Sequence, residues 1–67
     1  MELEIFIERE NRREKVNFSG RTIGELLKEL KINPETVITV RNKEVLTEQE
    51  ALQDQDKIEL LSVISGG

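Results

Sequence analysis

Gly20-Arg21-Thr22-Ile23-Gly24-Glu25-Leu26-Leu27-Lys28-Glu29-Leu30 is the stretch on which the fold turns. Thr22 and Glu25 stand at the spacing of a capping box, in which hydroxyl and carboxylate satisfy the orphan backbone donors of a starting helix. Ile23, Leu26, Leu27 and Leu30 then fall at i, i+3, i+4 and i+7, a single apolar stripe that has to lie on something. Gly24 weakens the helix by up to about 1 kcal/mol relative to Ala, in a first turn where fraying is tolerated. Pro34 disfavours helical geometry at Asn33, so the helix is expected from Thr22 to about Lys31.

What the stripe lies on is written on both sides of it. Leu3, Ile5 and Ile7 alternate with Glu2, Glu4, Phe6 and Glu8, the period-two pattern of a half-buried strand. Phe6 stands on the wet face, either as a partner contact or covered by neighbouring side chains. The polar stretch Arg9 to Arg13 leads to Val16 and Phe18, which reads as the returning strand of a hairpin ended by Ser19-Gly20. After the helix, Val37 to Arg41 is a β-branched run whose faces its composition does not separate. Ile38 and Val40 are taken for the core, and a Val40 turned outward would join a binding patch. Asn42-Lys43 suits a tight turn before a short strand, Glu44 to Leu46. Thr47 to Gln53 is a loop or single turn anchored by Leu52, and Asp54-Gln55-Asp56 is a turn. The last strand, Lys57 to Ile64, points Ile58 and Leu60 inward and Glu59, Leu61 and Val63 to the opposite face. The order is strand, strand, helix, strand, short strand, strand: an α+β chain with one helix packed across a four- to five-stranded mixed sheet.

Sixty-seven residues hold one core, since a chain this short buries only about 60 % of its unfolded surface. With no Cys and no His, disulfides and thiolate or imidazole metal sites are excluded, and so are the usual nucleophiles and near-neutral bases. A self-contained enzyme, an intrinsic cofactor and a metal centre are therefore not expected. Two phenylalanines and no Trp or Tyr argue against an aromatic-lined ligand pocket. A net charge of −4 opposes nucleic-acid binding, and the basic cluster Arg9, Arg12 and Arg13 alternates with Glu8, Glu10 and Glu14 as a solvated hairpin tip does. No apolar run approaches a membrane span and there is no signal-peptide core, so a cytoplasmic protein, monomeric by itself, is expected.

The chain closes on Ile64-Ser65-Gly66-Gly67. A glycine pair at the last two positions arises by chance in roughly 1 chain in 200, and here it follows a strand with only Ser65 between. Without Cβ atoms such a tail threads a narrow channel and leaves its carboxylate open to attack from either side. That carboxylate is ionised at neutral pH and can attack the α-phosphate of ATP held by a partner, giving an acyl-adenylate open to a sulfur or nitrogen nucleophile. Residues 1–64 are expected as the folded domain and 65–67 as a flexible tail.

These segments together resemble the ThiS/MoaD sulfur carriers, the small archaeal modifier proteins and ubiquitin. Gly20 to Leu27 is similar to the family's Gly-x-Thr-Val-x-x-Leu-Leu helix start. Val40 to Leu46 is similar to its Val-x-Asn-x-x-Val-Val turn, and Asp54-x-Asp56-x-Ile58 with Val63-Ile64-Ser65-Gly66-Gly67 to its closing segment. Gln55 departs from the glycine usual between the two acids, which questions the geometry of that turn. The resemblance covers nearly the whole chain and implies a ubiquitin-like β-grasp fold with first and last strands as parallel central neighbours. It implies that Gly67 carries the adenylate and then the thiocarboxylate, with Gly66, Ser65, Ile64 and Val63 as the segment entering the partner. Leu61 falls where such proteins place an apolar contact for an adenylating, activating enzyme, and Phe6 is a further candidate contact. The sulfur would go to thiamine thiazole, molybdopterin or tRNA through a sulfur-accepting synthase. The alternative is a protein modifier joined through Gly67 to lysines of targets; ATP in either case is the partner's.

Overall fold

The structure is a computed structural model and describes residues 1–63. The expectations for Ile64, Ser65, Gly66 and Gly67 lie outside the described residues. Strands β1 (Glu2–Ile7), β2 (Arg12–Asn17), β3 (Val37–Arg41), β4 (Glu44–Leu46) and β5 (Lys57–Ser62) form one sheet in the order β2-β1-β5-β3-β4, crossed by helix α1 (Ile23–Glu29). β1 runs parallel to β5, with Ile5 opposite Ile58 and Ile7 opposite Leu60; the other pairings are antiparallel. β1 and β5, the strands that supply Leu3, Ile5, Ile7, Ile58 and Leu60 to the core, thus occupy interior positions.

Helix α1 begins as its sequence predicts. Thr22 accepts from the Glu25 amide at 3.3 Å while Glu25 Oε1 accepts from the Thr22 and Arg21 amides at 3.0 Å. It ends two residues before Lys31. Lys31 takes φ 60°, and the amides of Lys31 and Ile32 donate back to the carbonyls of Lys28 and Leu27 at 3.1 and 2.9 Å. This pattern closes a helix through a left-handed residue and folds Ile32 back against the core. The stripe Ile23, Leu26 and Leu27 is buried against Leu3, Ile5, Ile7, Phe18, Leu52, Ile58 and Leu60, with Leu30 partly covered at its rim. Gly20 is fixed by a close approach: a Cβ there would stand 2.4 Å from the Phe18 ring.

Two short 3-10 turns, Glu8–Glu10 and Pro34–Thr36, add to the elements expected from the sequence. Pro34 starts the second after an Asn33 cap, a use of proline that needs no amide. Asn42 and Lys43 both take positive φ, 53° and 67°, which matches the twist of the β3-β4 hairpin.

The expectation that Ile38 and Val40 face the core fails for both, and the alternative of an outward Val40 holds. Ile38 is 40 % exposed and pairs with Leu61, whereas Thr39, opposite Leu60, is the buried core-facing residue. Val40 is 9 % exposed as expected of a buried residue, but its partners Glu59 and Val45 put it on the outer face, apart from the main core cluster. Three apolar residues around one threonine carry no period-two signal, so the register against β5 decides the faces.

The turn before β5 is tied to the first strand. The Gln55 amide donates to Glu2 O at 2.7 Å, the Glu2 amide to Asp54 Oδ1 at 2.6 Å and the Glu4 amide to Asp56 O at 2.9 Å. Arg41 Nη1 reaches Asp56 Oδ2 at 2.9 Å and Ala51 O at 3.1 Å, clamping the end of β3 to the same turn. Gln55 sits at φ 73°, the conformation for which glycine is suited. Gln55→Gly is expected to raise unfolding stability by about 0.5 kcal/mol, the relief of left-handed strain exceeding the added unfolded-chain entropy. Urea denaturation checks the direction.

The amides of Arg21 and Thr22 hold the Glu25 carboxyl below its ordinary value of 4.5, and the Glu2 amide likewise lowers Asp54. A carboxyl depressed on folding adds stability that is complete above its unfolded pKa and disappears as pH falls through its folded value. Stability is therefore expected to decline as pH falls below about 4.5. Glu25→Gln keeps the reciprocal cap but cannot titrate, so its urea midpoint should fall less steeply over that acid range than that of the unaltered chain.

Candidate functional site

Helix α1 covers one face of the sheet, and among the described residues no element covers the other. Cross-strand register builds this outer face in rows. Arg13, Phe6, Glu59, Val40 and Val45 lie side by side across β2, β1, β5, β3 and β4. The adjoining row toward the end of β5 holds Leu61 opposite Ile38, and Val63 follows, its amide donating to Thr36 O at 3.0 Å. The rows toward the start of β5 hold Lys15, Glu4 and Lys57.

One half of the face is apolar. Val40 is nearly enclosed and Leu61 and Phe6 are half-buried, while Ile38, Val63 and Val45 are 40, 42 and 71 % exposed. Isolated exposed apolar side chains are ordinary, but residues from β3, β4 and β5 converging around an enclosed valine form a patch suited to a protein contact. Phe6 is not bare. The Arg13 guanidinium lies 5.6 Å from its ring centroid and also 3.8 Å from Glu4, so Phe6 sits under a cation at the edge of the patch.

The sequence placed Leu61, Val63 and Phe6 on this face, and the structure brings Leu61 and Val63 together with Ile38 and Val40. Phe6 lies one strand away, across Glu59. Ile38 and Val45 are the patch members that sequence reasoning missed. The turn at Asn42-Lys43 carried the signal, because a two-residue loop forces Val40 opposite Val45 and so commits both to one face. The described residues contain no group of three His, Cys, Asp or Glu arranged to hold a metal, and no helix long and apolar enough to cross a membrane. What the outer face forms is a contact surface centred on β3 and β5.

Residues 4–67 match the ThiS family, a match that includes the glycine pair. The chain belongs to the ThiS family. Sulfur carrier protein TtuB of Thermus thermophilus is similar at 46 % identity over 56 residues, covering 82 % of this chain and 86 % of TtuB. Proteins of this type are small carriers and not enzymes themselves, in keeping with a chain that lacks His and Cys. Among solved structures, SAMP1 from Haloferax volcanii superposes with a TM-score of 0.73 at 21 % identity, covering 100 % of both chains. The ubiquitin of Caldiarchaeum subterraneum gives 0.71 at 19 % identity, over 100 % of this chain and 98 % of that one. The fold is the ubiquitin-like β-grasp.

Adjacent residues of β5 should respond to substitution in opposite ways. Leu60 is wholly buried, and Leu60→Ala is expected to cost about 2 to 5 kcal/mol of unfolding free energy. Leu61→Asp, on the outer face, should cost about 1 kcal/mol. Equal losses in urea titrations would mean that the outer face is covered.

Proposed function

We propose that this ThiS-family chain is a sulfur carrier whose reacting group is the carboxylate of Gly67. The observation that carries the proposal is the family match running through Gly66-Gly67, supported by 46 % identity to a protein named as a sulfur carrier. In this reading an activating enzyme binds ATP, and a Gly67 carboxylate oxygen attacks the α-phosphorus. The bond between the α and β phosphates breaks and pyrophosphate leaves. A hydrosulfide-equivalent nucleophile then attacks the acyl carbon and AMP departs, leaving the thiocarboxylate for a sulfur-accepting partner in thiamine, molybdopterin or tRNA thiolation chemistry. The chain supplies no group to this sequence except its own end, in accord with a composition that lacks a near-neutral base. Its remaining task is presentation: Leu61, Val63, Ile38 and Val40 dock the enzyme while Ile64 and Ser65 lead the glycines into the nucleotide site.

ATP–pyrophosphate exchange with the adenylating enzyme from the same cells tests the reading. The unaltered chain should support exchange. Deletion of Gly67 should abolish it without shifting the urea midpoint, and Leu61→Asp should raise the apparent KM more than it lowers turnover. Exchange by the deleted form equal to that of the unaltered chain would exclude the terminal carboxylate as the reacting group. Intact mass of protein isolated from its cells separates the outcomes downstream: replacement of one oxygen by sulfur reports a carrier, and lysine-linked adducts report the modifier alternative.

A further inference from the structure

The other half of the outer face has a charge opposite to that of the molecule. The chain carries −4 overall, yet four cations, Arg13, Lys15, Lys43 and Lys57, gather there against three acids, Glu2, Glu4 and Glu59. Glu2 borders the cluster beside Lys15 and Lys57, its carboxylate 3.5 Å from Gln55 Nε2, and Glu8 lies at the opposite end, its carboxylate accepting from the Ser62 amide at 2.8 Å. Arg13 is engaged with Glu4, but among the described residues Lys15, Lys43 and Lys57 make no ion pair and are exposed. Lys57, Lys43, Arg13, Glu4, Glu59 and Asn42 border one shallow depression.

The segregation runs along β5 itself. Its outward residues are Lys57, Glu59, Leu61 and Val63 in turn, so the face passes from charged to apolar toward the end of the chain. At about 3.3 Å per residue, Lys57 stands about 20 Å from Val63. Resting on the carrier reading, we infer that the lysine cluster docks an acidic surface on the activating enzyme, about 20 Å from the channel that receives the tail. The apolar half supplies contact area and the lysine half supplies orientation. Opposed chemistries at the two ends of one strand let the enzyme accept the chain in only one direction, tail toward nucleotide. An anionic nucleic acid is the weaker occupant, because Glu4 and Glu59 are interleaved among the lysines and the adjoining apolar half offers a phosphate backbone nothing.

The test is the KM for the carrier in ATP–pyrophosphate exchange, for the unaltered chain, Lys15→Gln/Lys43→Gln/Lys57→Gln, and an Arg21→Gln/Lys28→Gln control on the helix side. The triple variant should raise KM by about tenfold at low salt with turnover at saturation retained, while the control stays near the unaltered value. Raising salt should increase KM for the unaltered chain and the control but little for the triple variant. Should the triple variant unfold, the salt dependence of the unaltered chain decides. A KM indifferent to both the triple substitution and salt, with exchange normal, overturns the acidic-partner inference and leaves the carrier reading intact. No exchange by the unaltered chain overturns both. Salt-sensitive binding of a duplex RNA oligonucleotide, lost in the triple variant, would transfer the cluster to a nucleic acid and also overturn the inference.

Discussion

Parallel pairing of β1 with β5 is the contact on which the remainder of this molecule depends. It joins the two ends of the described chain, sets Ile5 against Ile58 and Ile7 against Leu60, and makes β5 the middle of the sheet. A chain without disulfides has only packing with which to offset the entropy of closing so long a loop. The turn at Asp54 to Asp56 reinforces the closure, since three of its groups bond to the backbone of Glu2 and Glu4. Arg41 then secures β3 to the same turn, so one polar clamp holds three strands in register.

The functional geometry follows from that arrangement. Because the last strand is central, the chain leaves the sheet flanked by β1 and β3, whose outward residues become neighbours of β5. The single helix is spent on the core face. The opposite face therefore presents side chains from all five strands with no covering layer among the described residues, and its apolar half adjoins the segment leading to the glycines. A strand in the middle of a sheet is a rigid support, and it holds the apolar patch in a fixed relation to Val63, the last described residue.

Left-handed residues mark where this sequence departs from the easiest solution. Asn11, Lys31, Asn42, Lys43 and Gln55 all take positive φ. The two asparagines tolerate that region through their short polar side chains, whereas Lys31, Lys43 and Gln55 hold it because flanking hydrogen bonds and strand pairing over-determine them. At Gln55 the geometry of a glycine position is kept without the glycine, which resolves the question its presence raised.

Legible in the chain alone were the helix start at Thr22, its buried stripe, the alternation of β1 and β5, the two turns and the absence of Cys and His. Each is a local pattern: hydrogen bonds within four residues, a period of two or 3.6, or a residue type that is simply missing. The face of Ile38 and Val40, the junction of the apolar patch, and the gathering of Lys15, Lys43 and Lys57 were settled by strand pairing. These depend on which strand lies beside which and in what register, and that is fixed by long-range pairing with β5, where a run such as Val37-Ile38-Thr39-Val40 fits either face until Thr39 meets Leu60.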